Sequence, residues 1–334
     1  MRKLLVLLSA VAFVVAFTVP AMAADWGFFG SARMTTFFTD IEPEGGTSDK
    51  DLTWDLQGNS RIGANVKAGA IGGGFEYGTG VNVRKLFGTW NFGGGSLLVG
   101  QTYSPVNMFY SNQVFGSDTD MLNTGGLYGG RNPMIQLKYG AFKVAALRPA
   151  SGNITGAGDA DTSMPKLEAA YSLKAGPAKL SFQAGYNSYD EENAAISNSI
   201  DSYVAGLGFS FGFGAGYVKG NIYTGTNLGS YGIWGGGATA YDAVNNTVID
   251  ADDMGYLLVV GFKASDAMSF ELGYGNKTQE LDTAGSTEIE TSAYYAQAVI
   301  HLAKGCMIIP EVGMIDVKDV TETTYYGAKW QINF

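Results

Sequence analysis

Along much of this chain apolar and polar residues take turns. From Thr324 onward, every second position gives Tyr326, Ala328, Trp330, Ile332 and Phe334, and the positions between are Tyr325, Gly327, Lys329, Gln331 and Asn333. A period of two puts these sets on opposite faces of a β-strand, one apolar and one polar. Residues 52–68 repeat the pattern as one long strand. Leu52, Trp54, Leu56, Ile62, Ala64, Val66 and Ala68 share a face, and Thr53, Asp55, Gln57, Asn59, Arg61, Asn65 and Lys67 share the other. An amphipathic helix would bring its apolar residues back every three or four positions instead. The alternation returns in Leu180, Phe182, Ala184 and Tyr186 against Ser181, Gln183 and Asn187, and in Tyr203, Leu207, Phe209 and Phe211. Phe270, Leu272 and Tyr274 flank Glu271 in the same way, and Val312 lies beside Glu311.

Between these segments, tight and longer connections alternate. The tight ones fall at 68–72, 92–96, 139–141, 174–177, 211–214, 264–267 and 303–305; the longer ones at 39–51, 104–132, 150–164, 190–199, 225–253 and 279–289. With further hairpins at 78–80 and 320–322 the count comes to about sixteen strands. Residues 75–92 read as one long strand or two short ones, so fourteen and eighteen stay open. The fold class expected is all-β, a transmembrane antiparallel β-barrel with short periplasmic turns and long extracellular loops. Charged residues alternating with aromatics suit such a wall, because a charge facing lipid costs about 2–4 kcal/mol at midplane while one facing the lumen stays hydrated.

Composition agrees. Glycine takes 48 of 334 positions without a three-residue period, and charged residues are only 16 %, against about 25 % in ordinary globular chains. The mean hydropathy of +0.03 is too polar for a helical membrane protein and fits strands that are half polar. At the start of the chain, Met1-Arg2-Lys3 precedes an apolar run from Leu4 to Phe17 and the small-residue box Ala21-Met22-Ala23. This reads as a secretory signal peptide over 1–23, with 24–334 forming a single barrel domain. No later run reaches the roughly 18 apolar residues of a spanning helix. The localisation expected is the outer membrane of a diderm bacterium.

The formal charge is −10, and without Arg2 and Lys3 there are 19 basic residues against 31 acidic ones. Such a chain is a poor partner for nucleic acid, which is bound by releasing counterions from phosphates. His301 is the only imidazole and Cys306 the only thiol, which disfavours a histidine-based metal site, a Ser-His-Asp triad or any enzyme of that kind. No cofactor is expected. The long loops are rich in acid, as at Glu42, Glu44, Asp159, Asp161, Asp190, Asp250 and Asp252. These acids either bridge divalent cations to lipopolysaccharide or remain solvated; none has EF-hand spacing.

The terminal strand with Tyr326, Trp330, Ile332 and Phe334 resembles the assembly signal of bacterial outer-membrane barrels. The resemblance implies recognition by the barrel-assembly machinery and pairing of the last strand with the first. Trp26, Phe28, Phe37, Phe38, Tyr325, Tyr326, Trp330 and Phe334 read as interface girdles in contact with lipid. Over most of its length the chain resembles the general bacterial porins. Phe28-Phe29-Gly30-Ser31-Ala32-Arg33 is similar to their first strand and Ser60-Arg61-Ile62-Gly63 to their second. Gly95-Ser96-Leu97-Leu98-Val99-Gly100-Gln101 is similar to the strand before the third loop, and Gly129-Gly130-Arg131-Asn132 to the strand after it.

That resemblance implies a homotrimer of sixteen-stranded barrels that pass ions and small hydrophilic solutes by passive diffusion. It also implies a third loop, here 104–132, folded into the lumen as a constriction. Arg61 and Arg131 fall at the family's basic positions, and Arg33 and Arg84 share the inward phase. Asp118 and Asp120 lie on the loop, facing the basic side. Two features depart from the family pattern. Gln101 stands where an Arg is common, and Thr124 lies near the place of a loop Glu whose surrounding motif is absent. A substrate-specific channel is the alternative, suggested by Tyr103, Phe109, Tyr110 and Phe115, and a non-conducting structural or adhesive barrel is another.

Overall fold

A computed structural model describes residues 24–334 apart from 153, 155–158 and 194–195. The proposed leader, 1–23, lies outside the described residues.

Strict alternation forces each strand to show one side to lipid and one to the lumen, and the chain closes into sixteen antiparallel staves. They are β1 (Asp25–Pro43), β2 (Asp49–Leu56 continued by Arg61–Ala68), β3 (Ile71–Gly78), β4 (Val83–Asn91), β5 (Gly95–Tyr103), β6 (Arg131–Tyr139), β7 (Phe142–Leu147) and β8 (Lys166–Ala175). The second half is β9 (Ala178–Asn193), β10 (Ile196–Phe213), β11 (Gly216–Thr226), β12 (Ala251–Lys263), β13 (Met268–Leu281), β14 (Ile289–Ala303), β15 (Cys306–Val317) and β16 (Thr321–Asn333). Each pairs with its sequence neighbour, and β16 closes on β1 from Ser31↔Asn333 to Pro43↔Thr321. Residues 75–92 resolve as two strands, β3 and β4, which settles the count at sixteen. Phe334 completes the seam, its carbonyl accepting from Gly30 N at 2.7 Å.

The faces follow the sequence. Tyr326, Trp330, Ile332 and Phe334 are exposed on the outer surface, with Leu52, Trp54 and Ile62, while Tyr325 and Lys329 are buried on the other side. The girdle set divides accordingly. Trp26, Phe28, Tyr326, Trp330 and Phe334 face out, but Phe37 and Tyr325 are both 1 % exposed inside the barrel. Phe37 and Phe38 are adjacent, so they cannot share a face.

Residues 52–68 are not one continuous strand. Gln57-Gly58-Asn59-Ser60 forms a turn closed by Ser60 N to Gln57 O at 2.9 Å, and β1 is long enough to pair with both halves of β2. Glycine and asparagine break the run by turn chemistry. Four inserted residues preserve its phase, so Leu56 and Ile62 both face out.

Candidate functional site

The segment 104–130 leaves β5 and returns to β6 across the inner face of the wall. A backbone taken out of a sheet must find new partners, since a buried amide left unpaired costs about 1–3 kcal/mol. Inward carboxylates meet that need. Val106 N donates to Glu168 at 2.8 Å, Asn112 N to Glu271 at 2.8 Å, and Val114 N and Phe115 N to Glu311 at 2.7 and 3.0 Å. Inward amides serve the carbonyls, with Gln183 donating to Asn107 O at 2.8 Å, Asn221 to Gly125 O at 2.7 Å and Gln297 to Asn112 O at 3.0 Å.

Glycines in the wall make room for the segment. A Cβ on Gly275 would lie 2.3 Å from Thr124 O, and one on Gly208 would lie 2.2 Å from the Tyr110 hydroxyl. Apolar contacts complete the attachment. Met121 packs among Leu257, Val259 and Tyr295, and the Phe115 ring stacks on Tyr325 with centroids 3.8 Å apart. Near the tip, Ser117, Asp118, Asp120 and Met121 all take positive φ, between 52° and 69°. Such strain in non-glycine residues persists only where the surroundings hold it.

A second segment, 227–250, turns onto the first, where the sequence suggested an outer loop. Its helical turn Leu228–Tyr231 is anchored by Tyr231 Oη to Glu168 at 3.0 Å, Trp234 N donates to Tyr128 O at 3.0 Å, and Lys277 reaches Gly235 O at 2.7 Å. Tyr231, Leu228 and Ile233 bury themselves against Val106, Met108 and Leu127. Apolar burial, invisible in the acid content of this segment, draws it inward.

Two charged clusters meet at the tip of 104–130. In the first, Asp118 pairs with Arg33 and with Lys329 Nζ at 2.8 Å, and accepts from Gln57 Nε2 at 3.0 Å and Asn59 Nδ2 at 3.1 Å. Burial raises the Asp118 carboxyl, but Lys329 and Arg33 more than offset it and hold it below the ordinary range. Asp120 has no ion pair or side-chain hydrogen bond among the described residues. Burial first, and the Asp118 charge second, push its carboxyl up to about 8.

In the second cluster Glu76 receives Arg84 Nε at 2.7 Å, Lys85 Nζ at 3.2 Å and Arg61 Nη1 at 3.5 Å. A β-bulge makes this possible. The register shifts from Glu76↔Lys85 to Tyr77↔Val83, leaving Arg84 as the extra residue, so two consecutive cations face one carboxylate. Arg131 donates to Tyr103 Oη at 3.1 Å and lies over that ring at 5.3 Å.

An open space of about 350 Å³ lies beside the clusters, lined by Arg84, Tyr103, Arg131, Asp118 and Asp120, with Asn59 bridging Asp118 and Arg84 at its edge. Gln101 lies apart from it, its amide spent on Val83 O at 2.9 Å and Arg84 O at 3.4 Å. Arg61 and Arg131 do not touch Asp118, whose partners are Arg33 and Lys329. Sequence reading left out Glu76, Lys85, Lys329 and Asn59 as site residues. The phase of Glu76 between Phe75 and Tyr77, and of Lys329 in the last strand, already pointed them inward.

A family model described as Gram-negative porin matches residues 10–320, and the chain belongs to that family. Among solved structures, the outer-membrane channel DcaP of Acinetobacter baumannii is 17 % identical with a TM-score of 0.75, the match covering 93 % of this chain and 97 % of that one. The anion-selective porin from Comamonas acidovorans is 14 % identical with a TM-score of 0.61, covering 93 % and 100 %. OmpT of Vibrio cholerae is 15 % identical with a TM-score of 0.61, covering 94 % and 99 %. No curated protein sequence matches the chain. The protein is thus an outer-membrane β-barrel channel for small solutes.

Proposed function

We propose that 104–130 narrows the lumen and that solutes pass by diffusion through the charged gap at its tip, with no catalytic step. The supporting observation is the engagement of that segment's amides by Glu168, Glu271 and Glu311 on three separate staves. A sixteen-stranded barrel is wide enough for an aqueous channel, so size filtering needs something inside it. Arg84, Arg131, Asp118 and Asp120 line the gap in this reading, Arg33 and Arg61 stand behind it as partners of Asp118 and Glu76, and Gln101 supports the bulge that presents Arg84.

The channel acts as a homotrimer in outer-membrane lipid and lipopolysaccharide, with Phe334 read by the assembly machinery after removal of 1–23. A trimer form is known for the OmpT of Vibrio cholerae, a structural relative. Liposome swelling with sugars of increasing size tests the constriction. Removing 113–123 should admit larger sugars; an unchanged size limit in a folded barrel would contradict it.

A further inference from the structure

The gap is charged unevenly. Arg84 and Arg131 line it beside Asp118 and Asp120, and behind these stand the cations Arg33, Arg61, Lys85 and Lys329 and the carboxylate of Glu76. The chain as a whole is acidic at −10, so this local excess runs against composition. Asp118 is matched by two cations and Glu76 by three, and Arg131 has no carboxylate partner among the described residues.

The excess continues along the lumen. Lys143 pairs across strands with Lys138, and Lys174 with Lys179. Alternation places Lys179 on the same face as Gln183, whose amide reaches 104–130, so these lysines face inward. None of the four has an ion pair among the described residues. Like charges opposite one another destabilise a sheet. All four are exposed beside the tight turns that join β6 to β7 and β8 to β9, so water and counter-ions from solution offset the repulsion.

Aromatic rings stand at the same gap. Tyr103, Phe109 and Tyr128 meet edge to face, with Tyr103 and Phe109 centroids 4.9 Å apart, and Trp234 meets Tyr128 at 6.0 Å. Phe109 and Trp234 are each 44 % exposed although they lie inside the barrel. Tyr110 and Phe115, by contrast, pack against the wall. Open ring faces in water gain free energy when a flat apolar body covers them. A guanidinium fork a few ångströms away matches the geometry of a carboxylate.

We propose that the channel selects small aromatic carboxylates. Their ring rests against Tyr103, Phe109, Tyr128 and Trp234, Arg131 and Arg84 hold the carboxylate, and the lysines of β6–β9 draw it onward. The inference rests on the constriction proposed above. Planar-bilayer recording of the wild type tests it, using a potassium chloride gradient and then added benzoate, acetate or benzyl alcohol. The expected results are a reversal potential of anion-selective sign and half-block of chloride current by benzoate at a concentration about tenfold below that of acetate. Benzyl alcohol should have little effect. Arg131→Gln and Trp234→Ala should each weaken the benzoate block about three- to tenfold, the range expected for a ring contact or a charged hydrogen bond. Their folding is checked by heat-modifiable migration. A cation-selective wild type, or equal block by benzoate and acetate, would overturn the inference. Should removal of 113–123 raise conductance while benzoate and acetate stay equal, the constriction stands and only the selectivity falls.

Discussion

Two arcs of the same wall put their inward charges to different use. On β8, β13 and β15, Glu168, Glu271 and Glu311 are buried beneath 104–130 and spend their oxygens on its amides. Across the lumen, on β2 to β6, Arg61, Arg84 and Lys85 share the single carboxylate Glu76, Arg131 pairs with no carboxylate among the described residues, and Arg84 and Arg131 border open space. Strand phase is the same on both arcs. What differs is whether something lies over the position. A covered lumen charge becomes scaffold and an uncovered one becomes available to solute, so inward phase alone does not identify a selectivity residue.

The comparison breaks most visibly if the phase is wrong. Ile62→Arg places a charge on the lipid face and should cost about 2–4 kcal/mol near midplane, whereas Arg61→Ala should fold normally and change only conduction. Urea titration of refolding into vesicles measures the difference. The opposite ranking would shift the register by one residue and exchange lumen for lipid throughout.

Next in size is the covered arc. Glu311→Gln turns one of the two acceptors serving Val114 N and Phe115 N into a donor. It should cost about 1–3 kcal/mol and make the channel current noisier as the segment loosens. Lys85→Gln, on the open arc, should leave stability nearly unchanged and lower anion preference instead. Equal stability losses from the two would erase the distinction between the arcs.

A smaller effect concerns the two acids at the tip. With its carboxyl pushed up to about 8, Asp120 is protonated at neutral pH and gains its negative charge as pH rises through that value. Reversal potential should then move toward cations above about pH 8, and Asp120→Asn should abolish the movement. Asp118, held below the ordinary carboxylate range by Lys329 and Arg33, contributes no step there. The smallest change is expected from Asp250→Asn with Asp252→Asn. These acids lie at the root of 227–250, where salt screens charges within about 8–10 Å.

Alternation made the barrel, its closure by β16 on β1 and the outward aromatics legible, because the lipid tolerates no exception to the period. The strand break at 57–60 and the bulge at Arg84 were harder to read. Both are local departures that tertiary contacts exploit, the first to bring Asn59 to Asp118 and Arg84, the second to turn two cations toward Glu76. Asp118 and Asp120 were found from their place in 104–132. That Lys329 joins Arg33 at Asp118 was not, because Lys329 and Asp118 are distant in sequence and meet only once the segment crosses the lumen. The inward course of 227–250 was hidden for a similar reason. Its acids are conspicuous, but Leu228, Tyr231 and Ile233 decide where it goes.

The constriction requires the tip of 104–130 to lie against the break in β2. A Cβ on Gly58 would sit 3.7 Å from Ser117 Oγ, and Gly58 N donates to that oxygen at 3.3 Å. Gly58→Cys with Ser117→Cys, in a Cys306→Ser background, should therefore form a disulfide under mild oxidation in the intact outer membrane. Peptide mapping would show 58 linked to 117, with conductance close to that of the reduced form. Free thiols at both positions in a barrel that migrates as folded would contradict the account, placing the segment away from the wall and the gap elsewhere.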